Sequence, residues 1–181
     1  AIIVASKFEW IEYLKDLLKQ YNIKKVVKVV PGGETGQMSI FNGIKCAKEM
    51  YDDNSIVLIH DGVRPFIDDE LINANIKNVK EKGSAISSVY STETAVLINE
   101  NNDIKSVIKR EESLIAKAPQ SFYLKDIYDV HIKAQKDGIT NSIDSCTLMN
   151  QYNKHLSTVL TDYDNIKITT IKDIVLAQSI Y

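Results

Sequence analysis

His60-Asp61-Gly62-Val63-Arg64-Pro65 is a run of polar and turn-forming residues placed directly after the apolar run Ile56-Val57-Leu58-Ile59. Four apolar residues rich in β-branched types read as a buried strand. Asp61 and Arg64 then stand at the carboxyl end of that strand, where open α/β sheets bind their ligands. An Asp there can hold a divalent cation, and an Arg three residues on can hold a phosphate. The pair points to a phosphate-handling enzyme. The competing reading has Asp61 capping a turn and pairing with Arg64 as scaffolding. The position at a strand end favours ligand contact.

Two further segments could join such chemistry. Gly32-Gly33-Glu34-Thr35-Gly36-Gln37-Met38-Ser39 follows a strand and opens a helix, so close backbone approach and free N–H groups are available to an anion. It matches neither the P-loop nor the dinucleotide fingerprint, and by itself it is an ordinary strand-to-helix turn. Lys167 lies between Ile166 and Ile168. Those apolar neighbours should anchor the segment and aim the amine, and an aimed ammonium stabilises charge that develops in phosphoryl transfer. His60, His131 and His155 are isolated from one another, and none shares a site with a nucleophile and an orienting group, which excludes a hydrolase triad. Cys46 falls among apolar residues of a helical segment and reads as core.

The elements that position these residues alternate along the chain. Strands are expected at 2–5, 25–30, 56–59 and 85–90, and helices at 9–21, 37–50 and 68–81. Ile11, Leu14, Leu17 and Leu18 share one helical face, as do Ile40, Ile44 and Ala47. Pro31-Gly32-Gly33 ends the second strand, and Asp68 or Asp69 caps the third helix. This rhythm predicts an α/β fold with a mainly parallel sheet and helices on both faces. It breaks over 91–113, where strands at 94–98 and 104–108 flank the polar turn Glu100-Asn101-Asn102-Asp103, the pattern of a projecting β-hairpin arm. Residues 114–118 return to the core. A helix at 124–136, a strand at 157–160 and a helix at 171–180 complete a single domain over 1–181.

The 181 residues carry 22 basic and 24 acidic side chains, a net charge of −2, which gives nucleic acid no bulk attraction. The two cysteines, Cys46 and Cys146, lie far apart, as expected of a reduced, cytoplasmic protein. No Cys/His pair has metal-ligand spacing. No apolar run reaches the roughly 18 residues of a membrane helix, and no secretory signal is visible. The chain opens inside a strand-like run, Ala1-Ile2-Ile3-Val4-Ala5, without an initiator Met, as a fragment would.

Taken together the motifs resemble a known family. Gly32-Gly33 with Gln37 and Ser39, then Asn42-Gly43, then His60-Asp61-x-x-Arg64-Pro65 resemble the 2-C-methyl-D-erythritol 4-phosphate cytidylyltransferases and their polyol-phosphate relatives. Ala118-Pro119-Gln120-x-Phe122 resembles the family's Thr-Pro-Gln-x-Phe, and Asn165-Ile166-Lys167-Ile168-Thr169 its Asn-Ile-Lys-Val-Thr. The resemblance implies a Rossmann-like mononucleotide-binding domain that uses CTP and Mg²⁺, in which the substrate phosphate attacks the α-phosphorus and pyrophosphate leaves. It implies that Gly33, Glu34 and Ser39 contact the cytidine, and that Asp61 serves metal and ribose with Gly62 beside the ribose. It further implies that Arg64, Thr94 and Lys167 surround the acceptor phosphate, with Asp61 and Lys167 catalytic. Arg110 would reach a partner's site, because the family's arm exchanges across a homodimer. A Gly-rich phosphate loop with a basic residue should precede Ala1, and a chain without it should bind CTP poorly.

The departures from the family pattern indicate the branch. Gly36 stands where many relatives carry Arg, and Ala118 where Thr touches substrate. Val96 stands where the methylerythritol enzymes often have Lys, so Thr94-x-Val96 is similar to the ribitol-5-phosphate branch, as is Asp144-Ser145-Cys146. The expected activity is therefore a CTP:polyol-phosphate cytidylyltransferase with ribitol 5-phosphate as acceptor and methylerythritol phosphate as the alternative. A related nucleotidyltransferase with another base or sugar phosphate, and a non-catalytic dimerisation module of the same fold, are the other readings. Retention of Asp61, Arg64 and Lys167 argues against the last.

Overall fold

In a computed structural model describing residues 1–180, the elements follow the alternation read from the sequence. In chain order they are β1 (Ile2–Ser6), α1 (Ile11–Gln20), β2 (Val26–Pro31), α2 (Gly36–Met50), β3 (Ile56–Ile59), α3 (Asp69–Lys82) and β4 (Ser84–Tyr90). Then come β5 (Val96–Ile98), β6 (Ile104–Val107), β7 (Leu114–Tyr123), α4 (Leu124–Lys136), α5 (Ser145–Gln151), β8 (Thr158–Leu160) and α6 (Ile171–Ile180). The architecture is α/β with a mainly parallel sheet. Residues divide into two compact units: 1–59 with 121–156, and 60–120 with the segment from Ser157 onward.

In the first unit β1 and β2 pair in parallel, in a register that ends with Ser6 beside Pro31. A 3-10 turn, Phe8–Trp10, leads from β1 into α1. Helix α1 turns Ile11, Leu14, Leu17 and Leu18 inward and leaves the intervening residues exposed. Thr35 caps α2 by accepting from the Met38 N–H at 3.2 Å, which satisfies a backbone donor that the helix itself cannot. The buried face of α2 is Gln37, Phe41, Ile44 and Ala47, at helical spacing. It packs on α4, whose Leu124, Ile127, Val130, His131 and Ala134 are buried. Phe41 stacks on His131 with ring centroids 5.6 Å apart. Neither ring nitrogen of His131 has a hydrogen-bond partner. Burial pushes this imidazole down to about 4, so it is neutral near pH 7 and acts as a core aromatic.

In the second unit Asp68 caps α3 by accepting from the Leu71 N–H at 2.7 Å. Gly83 ends the helix at φ 85°, a left-handed conformation that suits a residue without Cβ. Helix α3 packs on β4, where Asn75 donates to the Ser87 hydroxyl at 3.0 Å. Strand β4 pairs with β8 in parallel and is buried from Ser84 to Val89. The arm forms as expected: β5 and β6 are antiparallel, with Val96 opposite Val107 and Ile98 opposite Ile104. Its turn is held by the Asn99 side chain, which accepts from the N–H groups of Asn101 and Asp103 at 2.9 Å.

Three expectations need correction, and one element is additional. The apolar run of β3 is half-buried rather than buried. Among the described residues the one strand hydrogen-bonded to it is β7. Cys46 is also half-buried rather than core, with its sulfur 3.9 Å from that of Met50. The return to the core after the arm comes later than 114–118: Leu114, Ile115 and Ala116 are exposed, and burial begins at Ala118. Finally, α5 was not expected from the sequence. It is short, capped by Asp144 accepting from the Thr147 N–H at 2.7 Å, and buries Leu148 and Met149.

Candidate active site

The first unit contributes a cavity of about 470 Å³ at the carboxyl ends of β1 and β2. The parallel register brings both strands to an end together, and the Gly32 N–H donates to the Ser6 carbonyl at 2.7 Å just beyond it. Lys7, Phe8 and Glu9 leave one strand, and Gly32 to Gly36 leave the other. Gly33 is required by packing: a Cβ there would lie 2.4 Å from the Cβ of Met38 in the first turn of α2. Its N–H donates to the Ser39 hydroxyl at 3.0 Å, and that hydroxyl donates to the Thr35 carbonyl at 2.9 Å. Glu34 is exposed on the cavity wall, with no ion pair among the described residues. Gln37 holds the neighbouring loop: it donates to the Ile139 carbonyl at 2.8 Å and accepts from the Ser142 N–H at 2.7 Å. Of the expected cytidine contacts, Gly33, Glu34 and Ser39 therefore share one concave surface.

The second unit assembles the charged residues. After β3 the chain turns tightly, with the Arg64 N–H donating to the Asp61 carbonyl at 3.0 Å and His60 Nε2 lying 2.9 Å from the Arg64 carbonyl. The turn folds the Arg64 side chain back so that Nε donates to Asp61 Oδ2 at 2.9 Å. Arg64 Nη1 donates to the Asn165 carbonyl at 2.8 Å. Lys167 Nζ donates to Asp61 Oδ1 at 3.3 Å. Residues 61 and 64 from one stretch of sequence and 167 from another thus form one cluster. Gly62 occupies the turn between Asp61 and Arg64.

Asn165, which the sequence marks only as part of the Asn165–Thr169 motif, is the link between these segments. It is buried, and its side-chain amide donates to the Ala118 carbonyl at 2.6 Å. The Ile168 N–H donates to the Val63 carbonyl at 2.9 Å, which fastens the Lys167 segment to the Arg64 turn. Ile166 and Ile168 are half-buried and Lys167 is exposed between them, the arrangement expected of an aimed amine.

Electrostatically, the cluster is ready for an anion. Burial works against the Asp61 carboxylate. The Arg64 hydrogen bond, the charge and hydrogen bond of Lys167, and the Arg64 charge together hold its pKa below the usual carboxylate value. Two cations share this one carboxylate, so one positive charge is in excess. Lys117 adds another nearby. Burial and then the Arg64 charge push its pKa down, with Asp162 and Asp164 acting the other way, and its Nζ donates to the Tyr163 carbonyl at 3.1 Å. Among the described residues no group of three His, Cys, Asp or Glu could hold a metal by itself. Asp61 fits Mg²⁺ only as a single carboxylate working with substrate phosphates, which is how that ion is commonly bound. In the arm, Arg110 Nη2 donates to Thr94 Oγ1 at 3.2 Å, and both residues are exposed.

Comparison with known proteins decides the family. The family described as IspD, 2-C-methyl-D-erythritol 4-phosphate cytidylyltransferase, matches residues 1–181. The chain belongs to this family. Its members transfer a nucleotidyl group, and the cluster of Asp61, Arg64 and Lys167 lies within the matched region. The chain is 51% identical over 181 residues to the ribitol-5-phosphate cytidylyltransferase of Streptococcus agalactiae serotype III (strain NEM316), a match covering 100% of this chain and 76% of that protein. It is 37% identical over 179 residues to the 2-C-methyl-D-erythritol 4-phosphate cytidylyltransferase of Clostridium novyi (strain NT), covering 99% of this chain and 75% of that protein. In three dimensions it is similar to 4-diphosphocytidyl-2C-methyl-D-erythritol synthase from Anaerococcus prevotii DSM 20548, with a TM-score of 0.87 and 28% identity, covering 99% of this chain and 80% of that one.

Proposed function

We propose that this chain transfers the cytidylyl group of CTP to ribitol 5-phosphate. An oxygen of the acceptor phosphate forms a bond to the α-phosphorus, the bond to the β-phosphate breaks, and pyrophosphate leaves. The observation that carries the reading is the Asp61–Arg64–Lys167 cluster, where two cations share one carboxylate and leave positive charge for a phosphate. Gly33, Glu34 and Ser39 would take the cytidine, Asp61 and Gly62 the ribose, and Arg64, Thr94 and Lys167 the acceptor phosphate. Lys167 would also stabilise charge as it develops on the phosphoryl oxygens.

Asp61 would hold Mg²⁺ jointly with phosphate oxygens. The ion would supply charge neutralisation of the triphosphate. To serve it, Asp61 must share the oxygen that Lys167 holds, and an exposed ammonium on a flexible stem can move to the phosphates instead.

The ribitol acceptor is supported by the higher identity to the streptococcal enzyme than to the clostridial one. It is supported too by Val96 in the Thr94-x-Val96 segment. Pyrophosphate release measured with CTP and either ribitol 5-phosphate or 2-C-methyl-D-erythritol 4-phosphate should give the larger kcat/KM with ribitol 5-phosphate. Equal or better use of the methylerythritol substrate would reverse the assignment, and release with neither would favour a non-catalytic role.

The arm supports a homodimer. Val96, Leu97, Ile98, Ile104 and Val107 are all exposed on two short strands. A two-stranded ribbon is marginally stable alone in water, and a twin subunit is the simplest cover. Arg110 would then leave Thr94 to reach the partner's acceptor phosphate. Light scattering at micromolar concentration should report a dimer, and a monomer alone would remove this part of the reading. Among the described residues no helix is long and apolar enough to cross a membrane. The free thiols of Cys46 and Cys146 support a cytoplasmic location.

A further inference from the structure

Phe8 is 81% exposed, more than Trp10, Tyr13 or Tyr21, and it has no ring partner among the described residues. Trp10, by contrast, packs edge-on against Tyr13 with centroids 5.8 Å apart. Phe8 is not adrift on the surface. The 3-10 turn that carries it is closed by the Trp10 N–H donating to the Lys7 carbonyl at 3.0 Å. That turn starts where β1 ends, and Phe8 lines the cavity shared with Gly32 to Gly36 and Ser39. Every other wall of the cavity is glycine, a small residue or a charged one, so Phe8 supplies its one aromatic ring. A pyrimidine needs a flat apolar face as well as polar contacts at its edge.

We propose that Phe8 is the stacking surface for the nucleobase, in the pocket where Glu34 is already read as a cytidine contact. The proposal rests on the nucleotide reading given above and adds a residue to it. The two contacts divide the work. Stacking is blind to base identity, because every base has a π face. A carboxylate is selective, because it can accept a hydrogen bond from the exocyclic amine of cytosine but not from the carbonyl of uracil.

Calorimetric titration of the intact protein with CTP and with UTP tests this, with the fluorescence of Trp10, the chain's single tryptophan, as a second readout. Loss of one base–aromatic stack corresponds to a drop of about five- to a hundredfold in affinity. Phe8→Ala should therefore weaken both nucleotides by the same factor and leave their ratio unchanged. Glu34→Gln should change the ratio. Phe8→Tyr should bind like the wild type and Phe8→Leu like Phe8→Ala, because a ring and not mere bulk is what matters. Thermal melting should be unaffected, since so exposed a ring contributes little to packing. If the wild type binds CTP and Phe8→Ala binds it equally well, the stacking role is wrong and the nucleotide pocket stands. If Phe8→Leu restores binding, the contact is not stacking. If the wild type binds neither nucleotide, the pocket reading fails and Phe8 with it.

Discussion

Asp61→Asn should lower turnover at least about a hundredfold while the protein stays folded. Both oxygens of the native carboxylate are engaged, Oδ2 by Arg64 at 2.9 Å and Oδ1 by Lys167 at 3.3 Å. Its pKa is held below the usual carboxylate value, so it is charged near pH 7. Asparagine keeps the shape but replaces one acceptor with an NH₂ group that faces a cation. It removes the carboxylate proposed for Mg²⁺ and loosens two cations proposed for phosphate. Losing one charge-stabilising group typically costs about a hundred- to a thousandfold in kcat. The cost in stability should be about 1 kcal/mol, because the group is partly exposed and its ion pairs are screened. Arg64 also keeps its bond to the Asn165 carbonyl, and the turn keeps its own backbone bond. Steady-state rates measured across a Mg²⁺ titration check this. Near-normal turnover with an unchanged Mg²⁺ requirement would remove Asp61 from the metal.

The residues of this cluster were legible in the sequence because each sits at a boundary that the sequence marks. Asp61 and Arg64 follow an apolar run directly, and Lys167 is bracketed by two isoleucines. The amphipathic α4 was legible because its apolar residues recur at helical spacing, α6 also begins and ends at the expected residues, and Asp68 caps α3. What could not be read depends on partners distant in sequence. Asn165 stands in the sequence only as the first residue of the Asn165–Thr169 motif, and the fold alone reveals it buried between Ala118 and Arg64. Nothing local distinguishes Phe8 from a core phenylalanine, because exposure is set by what surrounds β1. Helix α5 has seven residues, too few for a periodic apolar stripe and too few to be stable without tertiary contacts. Its one local sign was Asp144 three residues before Thr147. Strand β7 continues through Pro119 to Tyr123, although a proline there reads as a strand's end. The half-burial of Ile56–Ile59 is a further case, since an apolar run states that a strand can be buried and not how many neighbours it has.

Lys167→Ala should weaken the acceptor about ten- to a hundredfold and leave CTP binding much less affected. Lys167 is exposed, and its pair with Asp61 is a surface ion pair worth about 0–1 kcal/mol to folding, so the variant should be close to native in stability. The function lost is larger than the stability lost. In the complex the ammonium would face a dianionic phosphate, and a hydrogen bond to a charged group is worth about 1.5–3 kcal/mol, which is the affinity change expected. Arg64 remains, with Nη2 unpartnered among the described residues, so binding should weaken rather than vanish. If Lys167 also meets the charge that develops during transfer, kcat falls together with kcat/KM; if it serves only the bound acceptor, KM rises alone. The two cases separate in kinetics run on wild type and variant with ribitol 5-phosphate and with unphosphorylated ribitol. Ribitol itself should be a poor acceptor for both proteins, and the variant should lose its preference for the phosphorylated form. A variant that retains the full preference would place the acceptor phosphate away from Lys167, and the cation cluster would then be scaffolding for the Arg64 turn.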